Sequence, residues 1–459
     1  MDTSRGRDPT MPGPSTSPPL PAPRACAAPL RSWVQSANRD DADFPLAHLP
    51  LCVFRPAGTD AIARIGVGIG QEVFDLRRAW RLGLLDTLAP ELRRACAAPS
   101  LNVLFAAGRA ASRALRAALT ALLQEGAPDQ ERSASCLLPQ SQAAFELPAQ
   151  VGDYTDFLAS YNHAHNVGSL YRPDNPVLPN FSSLPVAYHG RASSLVVTDE
   201  PVCRPQGQFR AAPQDTATVF GPSRKLDFEM ELGVFVGPGN ARGHAIAVDA
   251  ADAHVAGFCV LNDWSARDLQ EWESQPLGPF LGKNFATTLS PWVVSPEALE
   301  PYWVEIARPA SPPLKDYLRH APSSSRASFE IVTEVRLCTQ RMRAQGQAAQ
   351  LIATALFSRD IVWSFAQMIA HHTVNGCKLR PGDLLGSGTV SGPTPGSEGC
   401  LLELTRGGRA PLTLANGETR TYLQDGDEIV LTAFCARPGL PRIGFGECRG
   451  RIVPALARD

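Results

Sequence analysis

With 43 lysines and arginines against 45 acidic residues, this 459-residue chain has a formal net charge of −2 and lacks the basic footprint of nucleic-acid or anionic-membrane binding. No apolar run reaches the roughly 18–20 residues of a membrane span, and the N-terminus has no apolar core of the secretory kind. The expected setting is the cytoplasm, with a small molecule as partner, and the 11 cysteines, free of any CxxC pair, read as scattered buried thiols.

Residues 1–31, rich in Pro, Ser and Ala, have too few large apolar side chains to build a core, so a disordered tail is expected. Residues 32–148 form the expected first domain. It opens with short alternating stretches, LPLCVFRP and IARIGVGIGQEVFDL, that suggest a small β-rich unit. GVGIG at 66–70 reads as a hairpin and not as a phosphate loop, because another alternating stretch follows it where a helix would be needed. Leu, Ala and Arg then recur at helical spacing through 77–125, and the polar run EGAPDQERSAS reads as a surface connection. From 149 to 459 the chain is a series of short strand-like stretches cut by Pro and Gly. A mostly β (α+β) second domain is expected.

Three segments carry chemistry. In VGDYTDFLASYNHAHNVGSLYRPDNP, Asp156 and His163 are seven residues apart, on one face if the stretch is helical, with Arg172 in the turn beyond. In KLDFEMELGVFVGPGN, a strand aims Glu229 and Glu231 at one side while Phe228, Met230 and Leu232 take the other. The flank LGVFVG favours burial of this strand over a solvated edge. In LNDWSARDLQEWESQPLGPFLGKNFATT, a helix from Asp263 to Ser274 sets Asp263, Arg267, Gln270 and Ser274 on one stripe, with Trp264, Leu269 and Trp272 on another arc. The Gly- and Pro-rich loop that follows returns Lys283 toward a neighbouring surface. Solvated charged faces are the bland alternative for each segment taken alone. Together, Asp156, Glu229, Glu231 and Asp263 make an all-oxygen set suited to Mg²⁺ or Ca²⁺ and poorly suited to zinc.

These segments, with LPVAYHGRASS, PLGPFLGKNFATTLSPWVV, HHTVNGCKLRPGDLLGSGTVSGP and RIGFGECRGRIVPAL, resemble the fumarylacetoacetase family from Trp33 to Leu456. The resemblance implies a small SH3-like barrel followed by a β-roll, a homodimer, and metal-dependent hydrolysis of a carbon–carbon bond at the end of tyrosine and phenylalanine catabolism. It implies that Asp156, Glu229, Glu231 and Asp263 bind the cation, with Lys283 and Thr287 beside it. His163 is the implied base and Glu403 its orienting carboxylate. Arg267, Gln270 and Lys283 stabilise developing charge, and Arg172, Tyr188, Gln270 and Thr389 contact substrate.

Two positions depart from the family pattern: Leu158 and Ser274 stand where the family places substrate-contacting tyrosines. A hydrogen bond to a charged group is worth about 1.5–3 kcal/mol, so both losses bear on affinity for the usual substrate. The sequence therefore carries fumarylacetoacetate hydrolysis beside two other readings: a related acylpyruvate or 1,3-diketone hydrolase or decarboxylase with shifted specificity, and a non-catalytic ligand-binding paralogue.

Overall fold

The computed structural model describes residues 30–212, 214–306, 313–321 and 328–457. Residues 1–29, most of the expected tail, lie outside them. The first sheet contains β1 (Leu51–Pro56), β2 (Arg64–Ile69), β3 (Glu72–Asp75), β4 (Leu137–Pro139) and β5 (Ala143–Glu146), in the order β4-β3-β2-β1-β5, all antiparallel. Its edge strands β4 and β5 are joined by only the 3₁₀ turn Gln140–Gln142, so the sheet must curl until its edges nearly meet. The expected hairpin is present, with Ile69 paired to Glu72 and Gly70 at φ +55° in the turn. A Cβ on Gly70 would sit 2.2 Å from Ser36 Oγ, so both backbone and packing require glycine there.

Helical periodicity across 77–125 resolves into four helices, Leu76–Arg81, Pro90–Cys96, Asn102–Ala106 and Gly108–Leu123. The last buries Leu115, Leu119 and Leu123 at a spacing of four. The polar run after it is not a plain connection: Gln130–Ala134 makes one more helical turn, pinned by the fully buried Ser133.

The second unit is organised by a seven-stranded sheet in the order Val186–His189, Tyr154–Leu158, Leu384–Gly386, Met230–Val236, Val255–Asp263, Thr287–Leu289, Leu195–Val197. Alternation assigns its two faces. Leu232, Val234, Val236, Phe258 and Val260 enter a core shared with the five-stranded sheet built on Val332–Cys338, Glu428–Cys435 and Ile443–Val453. Tyr154, Phe235, Cys259, Leu261 and Leu384 enter the core of the first unit. The central strand is thus covered on both sides, which explains its unbroken apolar run. Asp156, Glu231 and Asp263 continue the second parity, next to Tyr154, Gly233 and Leu261, at the end of the sheet.

Two expected helices are corrected. Asp263 ends a strand, Ser265–Ala266 forms a second short strand, and the helix runs only Arg267–Glu273. Asp156 lies in a strand while His163 lies in the helix Tyr161–Tyr171. Asp263 is the last residue of its strand and Asp156 the middle one of its own, so in both cases sheet pairing overrides helical spacing. Trp264 and Leu269 are buried as expected, but Trp272 is 42% exposed, beneath the Arg210 guanidinium.

Trp264 locks the sheet junction. Its Nε1 donates to Thr288 Oγ1 at 2.8 Å, and Gly450 packs so closely that a Cβ there would lie 2.4 Å from the indole. Trp264→Ala should cost about 3–5 kcal/mol of folding free energy, read as a lowered denaturant midpoint.

Candidate active site

Three neighbouring strands, and the residue just before one of them, deliver four carboxylates to one point. Asp156, Glu229, Glu231 and Asp263 present oxygen atoms all within 4.8 Å of one another, and none is more than 4% exposed. Register explains the convergence. Gly386 pairs with Asp156 on one side, and its strand pairs with the strand of Glu231 on the other. A Cβ on Gly386 would lie 2.8 Å from Asp156 Oδ1 and 2.9 Å from Glu231 Oε2. Glycine in the intervening strand lets the two carboxylates lean over it.

Such a set repels itself, and the protein offsets only part of the repulsion. Lys283 Nζ donates to Glu229 Oε2 at 2.5 Å and to Asp263 Oδ2 at 2.6 Å, and Arg267 Nη1 lies 2.6 Å from Glu229 Oε1. Burial opposes the charge on Glu229, yet Lys283 and Arg267 hold its carboxyl well below the usual range. Burial also opposes the Lys283 ammonium, and Asp263 and Glu229 keep it protonated. Thr287 Oγ1 and Tyr188 Oη reach the cluster through Asp263, at 2.9 and 2.7 Å.

Asp156 and Glu231 lack that help. Burial, then the neighbouring charges of Asp263 on Asp156 and of Asp156 on Glu231, push both carboxyls well above the usual range. Asp156 Oδ1 and Glu231 Oε1 are buried without a hydrogen-bond partner. Orphaned hard oxygens beside two carboxyl groups paired to Lys283 fit a divalent cation such as Mg²⁺ or Ca²⁺.

A second constellation borders the first. Ser160 caps the helix Tyr161–Tyr171, its Oγ accepting from His163 N at 3.3 Å, which seats His163 in the first turn. His163 Nδ1 lies 2.6 Å from Glu403 Oε2. A carboxylate acceptor places the proton on Nδ1 and leaves Nε2 as the basic nitrogen. Burial works against the Glu403 charge, but His163, with hydrogen bonds from Ser391 and Asn166, holds its pKa below the usual value. Ser391 Oγ and Cys400 Sγ donate to Oε2 at 2.7 and 3.1 Å, and Asn166 Nδ2 donates to Oε1 at 2.9 Å. Sequence reasoning missed these three residues. Asn166 alone had a usable signal, three residues after His163 on the same helical face.

Both constellations open onto one cavity of 720 Å³ lined by Asp156, His163, Glu229, Arg267, Gln270 and Lys283, together with Leu158, Arg172, Tyr188, Ser274 and Thr389. Tyr171, which the sequence did not single out, joins this wall. Arg267 Nη1 bonds Gln270 Oε1 at 3.2 Å, while Arg267 Nη2 and Thr389 Oγ1 are buried without partners. Leu158 offers no donor, and the Ser274 hydroxyl turns back to Gln270 O at 2.5 Å. Asp263, Glu231, Glu403 and Thr287 are not part of the lining and support the site from behind it.

Two outcomes follow from this geometry. Gly386→Ala should fold yet weaken Mg²⁺ or Ca²⁺ binding by about 10–100-fold in calorimetric titration, because the methyl group displaces two carboxylates. The cation-free folded protein carries protons on Asp156 and Glu231 that the unfolded chain has lost above the ordinary carboxylate range. Stability from these groups therefore falls as pH rises through that window toward their raised values. Cation binding should release those protons, so affinity and the cation-induced gain in Tm should both increase with pH over the same window, checked by titration in buffers of different ionisation enthalpy.

The comparisons with known proteins agree in chain extent. Residues 47–148 match the family model described as Fumarylacetoacetase N-terminal, and residues 154–453 match Fumarylacetoacetate (FAA) hydrolase C-terminal. Curated relatives include fumarylacetoacetase of Arabidopsis thaliana, 43% identical over 433 residues, covering 93% of this chain and 99% of that protein. Fumarylacetoacetase of Homo sapiens is 43% identical over 423 residues, covering 91% and 98%. Among solved structures, a fumarylacetoacetate hydrolase from Exiguobacterium antarcticum aligns over 88% of this chain and 99% of its own, at 17% identity and a TM-score of 0.48. The chain belongs to the fumarylacetoacetase family, whose members are hydrolases acting on carbon–carbon bonds.

Proposed function

We propose that this protein hydrolyses fumarylacetoacetate to fumarate and acetoacetate, the closing step of tyrosine and phenylalanine breakdown, with a bound divalent cation. The observation that carries the reading is a carboxylate-oriented histidine and a four-carboxylate cluster that meet at one cavity, which His163, Asp156 and Glu229 line. Curated relatives that are fumarylacetoacetases over nearly the full length support the substrate. Asp156, Glu229, Glu231 and Asp263 would hold Mg²⁺ or Ca²⁺, with Lys283 and Thr287 beside it. When bound, the cation supplies positive charge to the two oxygens of a 1,3-diketone.

His163 Nε2 takes a proton from water as the water oxygen attacks the ketone carbon. Glu403 holds the ring in the tautomer this requires. Arg267, Gln270 and Lys283, which line the cavity, face the oxyanion that forms; one such donor is commonly worth about 3–4 kcal/mol. Collapse of the tetrahedral adduct breaks the carbon–carbon bond, and the electron pair leaves on the enolate carbon. The proton held by His163 balances the one that carbon acquires. Asp263 and Glu229 keep Lys283 protonated, which favours a fixed positive charge there over a proton donor.

Arg172, Tyr188, Gln270 and Thr389 contact the substrate in this reading. A homodimer and a cytoplasmic site of action belong to it as well. Among the described residues no helix is long and apolar enough to cross a membrane.

A related acylpyruvate or diketone substrate is the second reading, favoured by one observation: neither Leu158 nor Ser274 offers the cavity a free hydroxyl. The purified protein with Mg²⁺ should bleach the dienone absorbance of fumarylacetoacetate, and His163→Ala should lower kcat about 10²–10⁴-fold. On the first reading, Leu158→Tyr and Ser274→Tyr should each lower KM for fumarylacetoacetate. Turnover of another acylpyruvate without turnover of fumarylacetoacetate would establish the second, and an inactive protein with unimpaired ligand binding would support a non-catalytic paralogue.

A further inference from the structure

Asp227 is wholly buried and does not line the cavity, yet its carboxylate ties together two elements that do their chemistry there. It ends the short strand Leu226–Asp227, paired with Ser265–Ala266, so it lies beside the start of the helix Arg267–Glu273. Its Oδ2 accepts from Arg267 Nε at 2.9 Å and from Leu402 N at 3.0 Å, and its Oδ1 from Leu401 N at 2.7 Å and Phe228 N at 2.9 Å.

Leu401 and Leu402 open the helix Leu401–Leu404, whose third residue is Glu403. The first amides of a helix have no partner inside it, and Cys400, at the cap position, supplies no side-chain acceptor. Asp227 fills that role from 174 positions away. On the other side, Asp227 fixes Arg267 Nε while Glu229 and Gln270 take Nη1, so the guanidinium of this cavity-lining residue has one orientation, with Nη2 buried and unpartnered.

We propose that Asp227 is a positioning residue for the hydrolysis: one carboxylate sets both the guanidinium that faces the oxyanion and the turn that presents Glu403 to His163. The idea rests on the hydrolytic reading above. An ordinary buried ion pair would stabilise the fold without linking the two arms. Asp227→Asn separates the cases, because an amide keeps the shape but turns an NH₂ toward N–H donors on one side or the other.

Asp227→Asn is expected to lower kcat about 100-fold or more while changing KM for fumarylacetoacetate less than about threefold. Combined with Arg267→Ala, and separately with Glu403→Gln, its loss should be less than multiplicative in both cycles. In proton NMR, the downfield resonance of His163 Nδ1–H, assigned by its disappearance in His163→Ala, should shift or broaden in Asp227→Asn. Unchanged kcat, multiplicative losses in both cycles, or an unmoved resonance would overturn the proposal. Should Asp227→Asn alone not fold, the Arg267→Ala/Asp227→Asn double variant removes both charges together; activity and a resonance equal to those of Arg267→Ala would remove the Glu403 arm. An inactive wild type would overturn the substrate reading, and the resonance would still decide the role of Asp227.

Discussion

Four carboxylates held within 4.8 Å and shielded from water are the constraint to which the rest of the molecule answers. Isolated charges do not persist in a dry interior unless they are paired, neutralised or bound to a cation. Here the remedies are divided. Glu229 and Asp263 are met by Lys283 and Arg267, whereas among the described residues Asp156 and Glu231 form no ion pair, and Glu231 accepts from Gly388 N–H at 3.1 Å. The pattern is an asymmetric cradle, cation-paired on one side, with carboxyls pushed above their usual range on the other.

That cradle demands a rigid support, which the doubly covered sheet supplies. One face packs on the five-stranded sheet and the other on the N-terminal unit, so the strand ends that carry the carboxylates cannot splay to relieve repulsion. The N-terminal unit contributes no residue to the cavity lining, yet it contributes the core against which Tyr154, Phe235, Leu261 and Leu384 are fixed. Its role is mechanical, two residues along the strand from the chemistry at Asp156, Asp263 and Gly386.

The basic side of the site is arranged through a different device, a chain of hydrogen bonds instead of a sheet register. Four donors converge on Glu403, which leaves its charge and direction little freedom, and His163 inherits that direction. Against this order, the substrate-facing wall is plain. Leu158 and Ser274 line it, one without a polar group and the other with its hydroxyl turned back to the Gln270 carbonyl.

Local sequence determined what local physics controls. Alternation in FEMELGVFV predicted a buried strand that turns its glutamates to one side, the Gly- and Pro-rich loop predicted the return of Lys283, and donor chemistry alone singled out a hard-cation set. Helical spacing misled at Asp263 and Asp156, because a stripe of residues at i, i+4 and i+7 cannot reveal that sheet pairing claims its first member. The link between His163 and Glu403 spans 240 positions and became legible only through resemblance to a family. Which carboxylates remain protonated, why Gly386 must lack a side chain, and how Asp227 reaches both Arg267 and the Glu403 turn were decided by tertiary structure alone. Each depends on distances between strands and turns far apart in the chain, and periodicity carries no information about those distances.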